Sequence, residues 1–263
     1  MENLTVFIIN LKTSVDRRNY MIMLCQENQI DPIFIDAVYG KDLSEEYVAS
    51  VYADTAAQQK IQRSLKRGEI GCALSHKAIY EYMLIHNIEQ ALVLEDDVAF
   101  EKNFKEAIAL IDKFPSHWDL VLLGHYADYI GTKEVQSPTS FWDQHKLNDT
   151  FKLCRLSDYG YGTHAYLVNK KGAKKLLKAI SPISMPIDLY TGSGEFSNVY
   201  AMIPTPIKVV LPFGSTVRNK EERVIENVRF YYLKKLIGPA GRKVLKKAYL
   251  FFKSLLPVKK YDK

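Results

Sequence analysis

The chain has 263 residues, of which 47% are hydrophobic and 25% charged, with 13 glycines and 10 prolines. These proportions exclude a collagenous, low-complexity or wholly disordered chain and leave room for one large domain with a sizeable core. The formal net charge of +6 is gathered at one end: residues 218–263 carry 14 lysines and arginines against 4 acids, and residues 1–217 carry 22 against 26.

In chain order, residues 4–10 form a short apolar run that predicts a buried strand. Residues 16–28 predict a helix with Met21, Leu24 and Cys25 on its inner side, and 33–36 a second strand. A helix over 44–52 has Ser44 as its N-cap. Residues 53–66 are polar and carry no clear period. Residues 68–86 predict a helix buried along Ile70, Leu74, Ala78 and Tyr82. A strand over 90–94, a helix over 103–114 and a strand over 120–123 follow. Residues 126–151 are rich in turn formers and long for a loop, which predicts an insertion over a functional face. A strand over 163–169, a helix over 171–180, a proline-punctuated connector over 181–186 and a late strand over 207–211 complete the body. Strands alternating with helices predict an α/β domain with a largely parallel central sheet, in which ligands bind beyond the carboxyl ends of the strands.

The sharpest chemical feature is Leu94-Glu95-Asp96-Asp97, three acids where a buried strand ends. Adjacent carboxylates repel and are costly to desolvate, so their retention points to a cation or a substrate. On an extended segment Glu95 and Asp97 would face one side and Asp96 the other, giving two oxygen ligands for Mn²⁺ or Mg²⁺. A solvated acidic turn is the plainer alternative. The first strand runs into a turn and the charged helix start Asp16-Arg17-Arg18, a placement suited to phosphate. Gly71, Cys72, Ala73 and Ser75 give the 68–86 helix a small-residue surface for close approach, with Glu69 favourably placed near its positive end. Its His76 is either a ligand contact or a structural histidine. Asp188 follows Pro186 and could be a general base or a turn residue.

The three cysteines, Cys25, Cys72 and Cys154, are too scattered for a disulfide framework or a structural zinc site. With no signal-like N-terminus and no apolar run of membrane-spanning length, a cytoplasmic protein is expected. In the tail, Val244, Ala248, Phe251 and Leu255 fall on one helical stripe, flanked by Lys243, Lys246, Lys247 and Lys253. A basic amphipathic helix of this kind suits an anionic membrane surface. A helix packed on the body is the alternative, and the motifs of nucleic-acid-binding modules are absent.

The chain resembles glycosyltransferase family 25, which includes bacterial lipooligosaccharide galactosyltransferases and is related to the procollagen galactosyltransferases. The resemblance rests on Ile9-Asn10-Leu11 with Ser14 and Asp16-Arg17-Arg18, on Asp36-Ala37-Val38 with Gly40, and on Gly68-Glu69-Ile70-Gly71-Cys72-Ala73-Leu74-Ser75-His76. It extends through Leu94-Glu95-Asp96-Asp97 and Gly162-Thr163-His164-Ala165-Tyr166 to Asp188. It implies a single GT-A-type domain, taken over residues 1–217 ahead of the basic tail of 218–263, and inverting transfer of a hexose, usually galactose from UDP-galactose. It implies a donor site from Asn10, Leu11, Ser14, Arg17, Arg18, Asp36, Ala37, Glu69, Ser75, Asp96, Gly162, Thr163 and His164. It implies Mn²⁺ or Mg²⁺ on Glu95 and Asp97, and Asp188 as base. Many GT-A enzymes add a late histidine or acid as a further metal ligand; no histidine follows His164, so the resemblance does not supply a third protein ligand. The expected acceptor is a lipid-linked oligosaccharide of the lipopolysaccharide core, with the tail holding the enzyme on the inner membrane. A metal-dependent UDP-sugar hydrolase or nucleotidyltransferase, and a non-catalytic membrane- or polysaccharide-binding scaffold, are the alternatives.

Overall fold

The computed structural model describes residues 4–126, 128–130, 133–161 and 163–210, and in the tail residues 248, 251, 252, 254 and 255. Strand β1 (Thr5–Asn10) leads into helix α1 (Val15–Asn28) and β2 (Pro32–Asp36). Three helices follow, α2 (Glu45–Val51), α3 (Asp54–Ile61) and α4 (Arg67–Ile85), then β3 (Gln90–Glu95), β4 (Val98–Phe100) and α5 (Phe104–Ile108). Next come β5 (Leu120–Leu122), the pair β6 (Asp128–Ile130) and β7 (Lys133–Val135), β8 (Thr139–Lys146) and β9 (Lys152–Leu156). The last elements are β10 (Ala165–Asn169), α6 (Lys170–Ala179), α7 (Ile187–Gly192), β11 (Val199–Ile203) and β12 (Ile207–Val209).

The central sheet has the order β2-β1-β3-β10-β5-β11-β9-β8. The pairs β2–β1, β1–β3 and β5–β11 are parallel and the others antiparallel. All strands therefore point one way except β10 and β9, so the sheet is mixed but largely parallel in direction. Its central strands bury both faces. Phe7 and Ile9 of β1 and Val93 of β3 join one apolar layer, roofed by α4, α6 and α7. Val6, Ile8, Leu92 and Leu94 join the opposite layer with Met21 and Cys25 of α1 and Phe104 of α5. Double-sided burial is why these strands read as unbroken apolar runs.

Several expectations need correction. Helix α4 is buried more broadly than one stripe, through Ile79, Tyr80 and Met83, while Ala78 and Tyr82 are only half-buried. The polar stretch after Tyr52 forms α3, whose only buried residue is Ala57. The helix expected over 103–114 is a five-residue helix followed by a 3-10 turn at Ile111–Lys113. The long segment after Tyr126 is not irregular throughout. It carries β6, β7 and β8, and β8 forms the sheet edge, with four strands between it and β3. The late strand β12 pairs with β4 outside the main sheet.

In the tail, Ala248, Phe251, Phe252 and Leu255 are helical, with both phenylalanines exposed. The domain boundary at 217 and most of the tail stripe lie outside the described residues. No helix among the described residues is long and apolar enough to cross a membrane.

Candidate active site

Parallel pairing brings the carboxyl ends of β1 and β3 together, with Ile9 opposite Glu95. Because β10 runs against β3, it brings its amino end to the same place: Ala165 pairs with Leu94, and Glu95 N–H donates to the His164 carbonyl at 2.9 Å. The acids of β3, the Asn10 turn and the Thr163-His164 segment thereby share one end of the sheet.

The chain turns immediately after Glu95, so the alternation expected of an extended segment stops there. Asp96 and Asp97, expected on opposite sides, both reach the Arg17 guanidinium: Nη1 is 2.6 Å from Asp96 Oδ1 and 3.3 Å from Asp97 Oδ2. Asp96 Oδ2 also accepts from Asn10 Nδ2 at 2.7 Å. Asp97 is left more exposed electrostatically. Burial, reinforced by the charge of Glu95, pushes its carboxyl up to about 7, with Arg17 opposing. Its Oδ1 is buried and has no hydrogen-bond partner. Burial also works against a charge on Glu95, but the His76 ring, His164 and the Thr163 hydroxyl outweigh it and hold that carboxyl below its usual range. A carboxylate held low at Glu95 and an orphaned carboxylate oxygen on Asp97 are the kinds of group that a hard divalent cation would satisfy.

Thr163 joins the acids of β3 to α7. Its hydroxyl lies 3.0 Å from Glu95 Oε1 and 3.1 Å from Asp188 Oδ1, and its backbone N–H donates to the same Asp188 oxygen at 3.1 Å. One hydroxyl hydrogen thus lies between two carboxylates. Asp188 sits in the first turn of α7, and Pro186 is the N-cap. The approach is tight because Gly160 N–H donates to the Gly192 carbonyl at 3.1 Å, and a Cβ on Gly192 would meet the Gly160 oxygen at 1.9 Å.

A scan against family models matches "Glycosyltransferase family 25 (LPS biosynthesis protein)" over residues 3–191. The chain belongs to glycosyltransferase family 25. Procollagen galactosyltransferase 1-A of Xenopus laevis is 35% identical over 191 residues, covering 70% of this chain and 30% of its own. Procollagen galactosyltransferase 2 of Homo sapiens is 32% identical over 192 residues, covering 70% and 29%. A Bos taurus relative named "Probable inactive glycosyltransferase 25 family member 3" is 31% identical over 194 residues, covering 70% and 30%. The chain thus spans about 30% of the length of these relatives.

Among the described residues, those named above and others that carry the family 25 resemblance fall into two groups in space. Glu95, Asp96, Asp97, Asn10, Arg17, Thr163 and Asp188 are linked by the contacts above. Ser14 and Leu11 shape the turn, Ser14 N–H donating to the Leu11 carbonyl at 2.8 Å. Ala37 N–H donates to the Asn10 carbonyl at 2.9 Å, and Asp36 pairs with Lys12 at 3.0 Å in an exposed position. A second group is engaged in holding the fold. Arg18 stacks its guanidinium on Phe34, 4.1 Å from the ring centre, rather than forming a fork beside Arg17. Glu69 accepts twice from Arg63, at 2.6 and 2.7 Å, and once from Lys66 N–H at the start of α4. Ser75 accepts from Val38 N–H at 2.9 Å, clamping the β2 exit to α4. Gly71 permits that clamp, since a Cβ there would meet the Val38 oxygen at 2.5 Å. Gly162 lies outside the described residues.

His164 is buried with both ring nitrogens unpartnered, and burial pushes it down to about 4. It packs against Gly124, where a Cβ would meet its Nε2 at 1.9 Å. Beside it, His125 is likewise buried and pushed down to about 4, burial again being the main cause and the charge of His164 a lesser one. Sequence reasoning missed His125. A Gly-His pair just past the end of β5 was the available signal.

Proposed function

We propose that this chain is an inverting hexosyltransferase that moves galactose from UDP-galactose onto a lipid-linked oligosaccharide of the lipopolysaccharide core. The observation that carries the reading is the single hydroxyl of Thr163 bridging Glu95 to Asp188, which supports a base beside the diphosphate site. The galactosyltransferase names of the relatives favour the donor.

Glu95 and Asp97 would hold Mn²⁺ or Mg²⁺, and the buried, unpartnered Oδ1 of Asp97 fits that role. When bound, the ion supplies positive charge against the pyrophosphate that departs with UDP. Asn10 and Arg17 fix Asp96, and the turn from Asn10 to Ser14 lines the nucleotide. Asp188, oriented on Oδ1 by Thr163, accepts the proton of the acceptor hydroxyl as that oxygen attacks the anomeric carbon from the face opposite UDP. Positive charge developing on the sugar ring is stabilised by these acids.

A screen of UDP-hexoses by UDP release, with purified cell-surface oligosaccharide as acceptor, tests the reading. UDP-galactose with acceptor is expected to give the highest turnover. Release that ignores the acceptor favours a hydrolase, and calorimetry finding no UDP binding in the presence of Mn²⁺ favours a scaffold.

The basic tail extends the proposal to location. Exposed Phe251 and Phe252 on a lysine-flanked segment suit a lipid headgroup layer on the cytoplasmic face of the inner membrane. Confinement there raises the effective concentration of a lipid-linked acceptor without new contacts at the site. Deleting residues 236–263 is expected to weaken binding to anionic liposomes about tenfold or more and to preserve transfer to a soluble acceptor. Unchanged liposome binding removes the tail as anchor.

A further inference from the structure

One cluster at the inner wall of the site has a ligand chemistry that the transfer reaction does not use. Cys72 and His76 are four residues apart on α4, so both project from one side of that helix. Glu95 reaches the same place from the end of β3. One ligand atom from each of the three, a sulfur, a ring nitrogen and a carboxylate oxygen, lies within 4.8 Å of the others. His76 Nε2 and Glu95 Oε1 are 3.7 Å apart, too far for a hydrogen bond. That gap is close to the spacing of neighbouring ligands around an ion with bonds of about 2.0–2.3 Å.

His76 supplies the second observation. Its side chain is fully buried, yet among the described residues Nε2 has no hydrogen-bond partner. The other nitrogen, Nδ1, is 2.8 Å from Tyr166 Oη, which is itself 2.9 Å from Tyr80 Oη. Donation from Nδ1–H to a tyrosine oxygen leaves the lone pair on Nε2, the outer contact that metal-bound histidines usually make. Glu95 is steadied in the same way by the Thr163 hydroxyl.

We propose that Cys72, His76 and Glu95 form a site for a soft divalent cation, Zn²⁺, with a fourth position left for water. Thiolate and imidazole ligands favour Zn²⁺ over Mg²⁺ and Mn²⁺, which prefer all-oxygen shells. On binding, the Cys72 S–H bond is exchanged for a sulfur–metal bond and the proton passes to solvent. Zn²⁺ binding stands apart from the proposed transfer reaction. Its consequence rests on that reading: Glu95 belongs to both ligand sets, so Zn²⁺ held here withdraws it from the diphosphate metal and inhibits transfer.

Titration of the full chain with Co²⁺, without donor, tests the site. The expected result is a thiolate-to-cobalt charge-transfer band with intense tetrahedral visible bands, all displaced by Zn²⁺. Cys72→Ser should abolish the charge-transfer band. Tyr166→Phe keeps all three ligands and should retain the band while weakening Co²⁺ binding about tenfold. A spectrum without the band overturns the proposal. So does a band that survives Cys72→Ser, which would place the sulfur at Cys25 or Cys154, or an unchanged affinity in Tyr166→Phe. Calorimetry of UDP with Mn²⁺ separates the two readings: UDP binding without the cobalt band removes this site alone, and the band without UDP binding removes the donor site alone.

Discussion

Asp97→Asn is expected to lower transfer on the order of 10³-fold and, in metal-free protein, to raise thermal stability at alkaline pH. Both effects come from one cause. The Asp97 carboxyl is raised from 3.8 to about 7 by burial and by Glu95. Between those values the folded chain binds more protons than the unfolded chain, so the wild type loses stability as pH rises through that window. Above about pH 7 the whole cost is present. Asparagine carries no such cost, so its advantage in melting temperature should be larger at about pH 8 than at about pH 5, measured with a chelator present. An equal advantage at both values would show that the site does not strain Asp97. Wild-type transfer in the variant would remove it as a metal ligand.

The second large effect is expected at Asp188. Asp188→Asn keeps an oxygen able to accept from Thr163 N–H and Oγ1, so the α7 turn and the link to Glu95 persist. What disappears is the capacity to take a proton. The turnover number should fall about 10²–10⁴-fold, while the KM for donor changes by no more than about twofold. Rapid-mix measurement of the transfer step checks the split. An unchanged turnover number means another group accepts the proton.

The parts of the fold that were legible from sequence are those whose pattern is decided locally. The apolar runs at Val6–Ile9 and Leu92–Leu94 named β1 and β3 because both faces of each are buried. Ser44 named the start of α2, and its hydroxyl accepts from Tyr47 N–H at 3.1 Å. The strand-end acids were visible for the same reason: three charges after an apolar run have no local explanation. What was not legible depends on partners distant in sequence. The edge strand β8 presents exposed Phe141 and Trp142, so it lacks a clean alternation. The side of the strand end on which each acid would stand was misread because the turn after Glu95 is fixed by β4 pairing with β12, more than a hundred residues later. Arg18 and Glu69 look alike in sequence to phosphate-binding and ligand-binding residues. Arg18 lies over Phe34, and Glu69 pairs with Arg63 six residues before it, contacts that residue type alone does not announce.

The reversed strand β10 has a consequence for how such a protein can diversify. Had it run parallel to β3, its carboxyl end would face the acids and its entry loop would lie on the far side of the sheet. Running backwards, it delivers the stretch from Tyr159 to His164 and, through Gly160 and Gly192, the helix bearing Asp188. On the proposed reading, leaving-group chemistry and proton acceptance would be written on segments some ninety residues apart. On that reading, loop changes before β10 would retune which hydroxyl is glycosylated while the machinery on β1 and β3 stays untouched, so acceptor preference and donor handling could evolve on separate clocks.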